Sequence, residues 1–571
     1  MNTLKSFLIL NLFSFQIFAA NVFINQAGYL PNLPKYFYYS GQADSFYIIE
    51  KSTGTIYYSG TLVLSVKNDP ATALTLYKGD FSDLEREGIY FVKLDNGDSS
   101  FSFEISSDVF RSAMEKSLKE FYYQRCGIAL TPEYAGEYNH PACHLSDAVL
   151  HSSTGESGFT ENTGGWHDAG DYGKYVINAG ITVGTLLMAY EYFPEKFDSD
   201  NLNIPESGNG IPDILDEVRF ELEWLFKMQR ADGGVYFKLT GKFFEPFIMP
   251  QEDKEERYIY QVSSPGTGNF AAIMARASRI FSIYDSSFAK TCLEASILAW
   301  KFLSEHPHIF PQGGFRNPIG TNTGYYYDYD DSDERLWAAV ELFESTAKTE
   351  FHNYFIDHYN DAAILDSTMW WRNVKALAQI TYLFSKQSSV LQEVTDNISI
   401  SLLDYCNSLK ERSNRNGFGI TINPGEYVWG CNSEVLNNAI LLIFGFERSG
   451  NSDFYNKALT QLNYILGANA LNKCFVTGVG SEPVMNPHHR PSGADKVADP
   501  VPGIIAGGPN QNLQDALLDS LFNNSTPPAL CYVDHVNSYA SNENAINWNA
   551  ALVFVVGYFN SEGKMNFEND K

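Results

Sequence analysis

The feature that most constrains this chain is a change of hydrophobic period near Asp108. Before it lie short β-rich runs: Val22-Phe23-Ile24, Phe37-Tyr38-Tyr39, Phe46-Tyr47-Ile48-Ile49, Ile56-Tyr57-Tyr58, Ile89-Tyr90-Phe91-Val92 and Phe101-Ser102-Phe103-Glu104-Ile105. Glycines and Pro31 punctuate them about every 8–12 residues, which predicts a β-sandwich over 21–107. After Asp108 the apolar positions fall three and four apart. Val183, Leu187 and Tyr190 make one such face; Leu215, Val218, Leu222 and Leu225 make another, and the spacing recurs at Leu336, Val340 and Phe343 and at Leu436, Ile440 and Ile443. That is the period of amphipathic helices. Long Gly/Pro/Asn-rich loops separate them. The region 108–560 is therefore predicted to be one large all-α domain of the α/α-barrel type, with its site on the loops of one rim.

Charge excludes one class of partner. Lys plus Arg is 40 and Asp plus Glu is 68, so the chain of 571 residues carries 40 − 68 = −28. Such a surface repels phosphate backbones, so no nucleic-acid partner is expected. Tyrosine and tryptophan among many acids suit a neutral, hydroxyl-rich ligand such as a sugar, although a large aromatic core reads the same in composition. Residues 1–20 have a charged Lys5, an apolar run from Phe7 to Phe18 and a final Ala19-Ala20. This is the pattern of a secretory signal, too short for a membrane span, and no later stretch is long enough for one. The protein is expected to be secreted, extracellular or periplasmic, and monomeric. Residues 561–571 read as a polar tail.

The most informative stretch is Gly164-Gly165-Trp166-His167-Asp168-Ala169-Gly170-Asp171-Tyr172-Gly173-Lys174-Tyr175. Two carboxylates three residues apart, among glycines, belong on a tight loop. Such a pair can hold one water, one acid accepting its proton and the other orienting it. The residues alone do not choose between Asp168 and Asp171. A calcium loop or a solvated turn is the competing reading, although the alternating ligands of a helix-loop-helix calcium site are missing.

This stretch resembles the acidic loop of the glycoside hydrolase family 9 cellulases. Two further stretches resemble that family in the expected order. Phe475 to Arg490 (FVTGVGSEPVMNPHHR) is similar to its histidine motif, with Cys474 and Glu482 departing from the usual residues. Tyr532 to Ala550 (YVDHVNSYASNENAINWNA) is similar to its second acidic motif. Asn25-Gln26-Ala27-Gly28-Tyr29-Leu30-Pro31 is close to the opening of the immunoglobulin-like module that precedes many of these enzymes. The resemblance implies an immunoglobulin-like sandwich followed by an (α/α)6 barrel. It implies an inverting hydrolase of β-1,4-glucosidic bonds in cellulose, related β-glucans or cello-oligosaccharides, with no organic cofactor. Asp171 becomes the general base, Asp168 a holder of the water and Glu543 the general acid, with His488 in the catalytic group. Arg490, Trp429, Asp534, Tyr539 and Tyr325 become sugar-binding or supporting residues, with Tyr326 and Tyr327 beside Tyr325. Cys126, Cys143, His144 and His167 match a two-Cys, two-His zinc site in module-bearing members, whose role is structural because four protein ligands leave no open position. A Cys126–Cys143 disulfide competes with that reading. Calcium is also possible at Asn203, Glu206, Asn209 and Asp213, and at an acidic cluster around Asp333 and Glu334, where helix capping by acids competes. An exo-acting cellodextrinase or glucosaminidase, a non-catalytic glucan-binding protein and a zinc-dependent hydrolase remain alternatives.

Overall fold

The computed structural model describes residues 22–361 and 363–560. The expected signal (1–20) and the polar tail (561–571) lie outside the described residues.

The first eight strands form two antiparallel sheets. One runs β1 (Val22–Phe23), β2 (Tyr36–Tyr39), β6 (Leu76–Asp80), β5 (Val63–Val66); the other runs β4 (Ile56–Thr61), β3 (Ser45–Glu50), β7 (Gly88–Leu94), β8 (Phe103–Ile105). Alternate residues point inward. Phe46 and Ile48 from β3 meet Tyr90 and Val92 from β7 and Phe37 from β2 in one apolar core. The sandwich is thus the direct product of the period-two pattern.

Among the described residues, twelve helices of nine residues or more follow. They alternate between two layers. The outer set is α1 (Arg111–Tyr123), α3 (Asp213–Met228), α5 (Ser286–Glu305), α7 (Thr349–His358), α9 (Gln392–Arg415) and α11 (Ser452–Ile465). The inner set is α2 (Val176–Tyr192), α4 (Ser264–Phe281), α6 (Ser332–Thr346), α8 (Lys375–Leu383), α10 (Cys431–Ser449) and α12 (Ile546–Phe559). The inner helices are buried nearly all round, and their sequences show why. Val176 to Tyr190 is apolar or small on every face, as is Ile546 to Phe559. A helix apolar all round must sit inside others. α12 packs on α2, α2 on α4, α4 on α6 and α6 on α8, while α10 packs back on α12. This is an (α/α)6 barrel.

One element was not expected. Four short strands form a small sheet within the barrel domain, in the order β10 (Lys174–Tyr175), β11 (Lys238–Thr240), β12 (Tyr258–Ile259), β9 (Val149–Leu150). They are two or three residues long, too short to show a period. Their place matters: β10 directly follows the acidic loop and leads into α2.

The sandwich is tied to the barrel. Gln26 donates from Nε2 to the Asn472 carbonyl (2.8 Å) and accepts the Glu482 amide (2.8 Å). Asn25 Nδ2 donates to Asn463 Oδ1 at 2.8 Å. Phe418 of the barrel lies edge-on to Phe23 and Tyr38, each at 5.2 Å. The opening Asn-Gln motif is therefore an interface.

Candidate active site

The acidic motifs, Tyr326 and Trp429 fall on segments that precede inner helices, and His488 and Arg490 stand at the start of a short helix, Arg490–Ala494. Asp168 and Asp171 precede α2, Tyr326 precedes α6, Trp429 precedes α10 and Glu543 precedes α12. These segments gather at one rim, where helix N-termini add partial positive charge that favours anions.

The acidic loop is held from below. Trp166 is fully buried, and its amide donates to Glu221 Oε2 at 2.6 Å. Lys174 closes the loop by donating to the Gly164 carbonyl (2.8 Å) and pairing with Asp147 (3.1 Å). Asp168 is almost inaccessible. Asn178 Nδ2 donates to its Oδ1 at 2.5 Å and Tyr326 Oη to its Oδ2 at 2.6 Å. Burial pushes Asp168 up to about 7, against the two donors. Asp171 accepts the Gly173 amide at 2.5 Å.

Three loops are zipped together here. Ala169 bridges Ala545, and His488 bridges Glu543. The Ile546 amide donates to the Asp168 carbonyl at 2.9 Å. Arg490 donates to the Gly170 carbonyl from its amide (3.0 Å) and from its guanidinium (2.8 Å), and to the Glu245 carbonyl (2.8 Å). Gly170 is required by this approach: a Cβ there would lie 1.9 Å from the His488 carbonyl oxygen. Asp168, Asp171 and Glu543 are thereby brought to one place. Burial, then the Asp171 charge, pushes Glu543 well above the usual carboxylate range, with Arg490 opposing. No hydrogen bond to the Glu543 carboxyl is found among the described residues.

The remaining expected residues divide. His488 Nδ1 lies 2.6 Å from the Val536 carbonyl, so this nitrogen donates and Nε2 is left as an acceptor. Tyr539 packs against His488 (5.9 Å) and Trp429 against Tyr539 (5.5 Å). Trp429 and Tyr539 are each 39% exposed, which leaves ring faces open beside the acids. Asp534 accepts the Met485 amide (2.9 Å) and the Asn486 amide (2.8 Å) and pairs with Lys473 (2.9 Å). Its carboxylate is occupied by protein groups. Of the three tyrosines, Tyr326 reaches an acid, whereas Tyr325 packs on Tyr327 at 5.1 Å.

Cys126, Cys143, His144 and His167 are gathered, with their ligand atoms all within 4.8 Å of one another. All four are buried and the two thiols are free, which removes the disulfide reading. Cys126 Sγ lies 3.5 Å from His144 Nδ1, and His144 Nδ1 lies 3.3 Å from His167 Nε2. Tetrahedral zinc with bonds of about 2.0–2.3 Å needs donor separations of about 3.3–3.8 Å, so the set fits that ion. His144 Nε2 lies 3.2 Å from Asp253, the carboxylate partner a ligating histidine commonly has.

The calcium expectation is redistributed. Glu206 forks onto Arg125, with both contacts at 3.0 Å. Asn209 donates to Asp216 at 3.1 Å, and Asn203 lies 3.5 Å from the Glu133 carbonyl. Of the expected set, Asp213 alone joins a carboxylate cluster, with Asp200 and Asp216. Asp333 accepts the Val374 amide at 2.6 Å. Burial, then Asp333 beside it, raises Glu334, and Asp328 completes that cluster. Arg372 lies 3.8 Å from Asp328, so a cation of the chain already faces it.

The profile of glycosyl hydrolase family 9 matches residues 110–556, and that of the cellulase N-terminal Ig-like domain matches 18–99. The chain belongs to glycoside hydrolase family 9. Endoglucanase D of Acetivibrio thermocellus is 36% identical over 549 residues, covering 95% of this chain and 84% of that protein. The cellodextrinase of Butyrivibrio fibrisolvens is 35% identical, covering 94% and 98% respectively. The crystal structure of a metagenome-derived family 9 endoglucanase superposes with a TM-score of 0.88 at 35% identity, covering 95% of this chain and 99% of that one. A Zn-binding triple mutant of another family 9 endoglucanase gives 0.87 at 33% identity, covering 93% and 99%. As a family 9 enzyme, the chain has its Ig-like module and barrel in the family order. Among the described residues, no helix is long and apolar enough to cross a membrane.

The sequence reading missed Lys238, Glu245, Asn178 and Asp253. Lys238 had a signal, a lysine inside the apolar run Val235-Tyr236-Phe237-Lys238-Leu239. The others carried none, since single polar residues in loops or helices do not announce what they face.

Proposed function

We propose that this chain is an exported β-1,4-glucan hydrolase that acts with inversion. Asp171 is the general base, Asp168 holds the attacking water beside it and Glu543 is the general acid. The observation that carries this reading is the pairing of loops that brings three carboxyls together at one rim. Burial and then the Asp171 charge raise Glu543 well above the usual carboxylate range, while the acidic loop brings two more carboxyls against it. Inversion needs such a protonated acid, with a carboxylate on the opposite sugar face to activate water. His488 Nε2 accepts from a sugar hydroxyl. Trp429 and Tyr539 offer ring faces to the apolar faces of glucose. Arg490 and Asp534 position the loops. The named endoglucanase and cellodextrinase relatives support a β-1,4-glucan as substrate.

Cys126, Cys143, His144 and His167 would hold zinc, which would pin His167 and hence Asp168 next to it; with four protein donors its role would be structural. Asp200, Asp213 and Asp216 supply hard oxygen donors suited to calcium. The cellodextrinase relative spans nearly its whole length with this chain, which keeps short cello-oligosaccharides as a second substrate reading.

The test is hydrolysis of a soluble β-1,4-glucan and of cellohexaose, with product size followed in time. Rapid loss of viscosity marks endo action, and steady release of a short product marks exo action. Inactivity on both substrates would refute the proposed substrate class.

A further inference from the structure

Lys238 on β11 is fully buried, an unusual place for an ammonium group. It is satisfied almost entirely by one loop. Its Nζ donates to Asn317 Oδ1 (2.8 Å), the Gly324 carbonyl (2.9 Å), Thr323 Oγ1 (3.1 Å) and the Thr323 carbonyl (3.3 Å). The rings of Tyr260, Tyr175 and Phe315 face it at 4.9, 5.5 and 5.7 Å. An ammonium taken out of water needs such oxygens and ring faces around it. Burial lowers Lys238 to about 7, with Asp171 opposing.

The same loop is bound to β11 and to the residues just after it at other points. The Asn322 amide donates to the Lys242 carbonyl (2.7 Å), and Thr323 Oγ1 lies 2.8 Å from Thr240 Oγ1. Gly324 passes so close to Tyr175 that a Cβ would lie 2.7 Å from its ring. Two residues later comes Tyr326, at the left-handed φ of 34°. Its ring is held between Tyr175 (4.8 Å) and Trp371 (5.1 Å), and its hydroxyl donates to Asp168. A residue in that backbone region persists where its surroundings impose it.

We propose that Lys238 is a positioning residue for the acidic loop. By gathering the oxygens of Asn317, Thr323 and Gly324 it fixes the backbone from which the Tyr326 hydroxyl reaches Asp168, and so holds the Asp168 carboxyl in its orientation. The inference rests on the proposed hydrolase reading, in which Asp168 holds the water. Removing the tyrosine donor leaves Asn178 as the side-chain donor on that carboxyl, so its orientation loosens and the water it holds is misplaced.

The test compares wild type, Lys238→Met, Tyr326→Phe and the double variant, with Asn317→Ala as a milder lesion of the same anchor. kcat is expected to fall about 10-fold in both single variants while KM changes little, and the double variant to be no worse than Tyr326→Phe. Independently of activity, hydrogen exchange of amides 317–327 accelerates in Lys238→Met. Should Lys238→Met fail to fold, Asn317→Ala gives the same changes at smaller size. Unchanged exchange in 317–327, an unchanged kcat or multiplicative losses in the double variant would overturn the assignment. If wild type cleaves no glucan, the hydrolase reading fails, and exchange in 317–327 still decides the role of Lys238.

Discussion

Asp168 carries a cost of burial at a single residue. Its carboxyl is buried and raised to about 7, so the folded protein binds a proton there that the unfolded chain releases near pH 4. Folding stability therefore falls as pH rises between about 4 and 7. Asp168→Asn removes that ionisation while keeping a side chain of the same shape. The variant is expected to be more stable than wild type at pH 7, on the order of 1–4 kcal/mol, and to lose the advantage near pH 4. Chemical denaturation at the two pH values checks the sign; equal stability at pH 7 would refute it. Its activity should nevertheless fall sharply, the trade-off expected where a buried charge is kept for chemistry. Gly170 is the second sensitive position. Gly170→Ala drives a Cβ into the His488 carbonyl, and backbone cannot yield as a flexible side chain does. The acidic and histidine loops must part, and a misplacement of about 1 Å costs about 100-fold in rate. Steady-state kinetics on a soluble glucan would measure it, with circular dichroism to confirm folding.

At the scale of elements, the four proposed zinc ligands link α1 to the acidic loop. Cys126 lies just past α1, and its amide donates to the Gly165 carbonyl, while the His167 amide donates to the Gln124 carbonyl. The metal is expected to clamp this pairing. Elemental analysis should find one zinc per chain, and Cys126→Ser should lose it and unfold at a lower temperature. Activity should then fall in step with structure; loss of activity on chelation with the fold intact would point instead to a catalytic metal. The two large architectures were legible in sequence, because a sandwich written at period two and helices written at period 3.6 leave long signals. The small sheet of β9 to β12 was not, since two-residue strands carry no period. The site divides the same way. Asp168, Asp171 and Glu543 stand in stretches whose residue order resembles known motifs. Tyr326 and its two neighbours read alike, and only the backbone at Tyr326 selects which one meets Asp168. Glu206 was read as a calcium ligand because its sequence neighbours are polar, yet its partner is Arg125, 81 residues away.

In the whole molecule, the sandwich and barrel share an interface built on Phe418, Phe23 and Tyr38 and on the Asn25–Gln26 hydrogen bonds. Two units joined by a buried aromatic contact are expected to unfold together. Phe418→Ala opens a cavity there, at about 3–5 kcal/mol, and calorimetry should show a lower or split transition. An unchanged single transition would mean the module contributes little to the barrel. The rim itself gathers segments from residues 164 to 545, and the proposed mechanism needs such an arrangement, with an acid and a base on opposite sides of one bond. The most direct test follows the anomer released from cellohexaose by NMR in the first minutes, for wild type, Asp171→Asn and Glu543→Gln. The account predicts α-anomeric products from wild type, and losses on the order of 10²–10⁴-fold in both folded variants. β-Anomeric products, or full activity in Asp171→Asn, would contradict it.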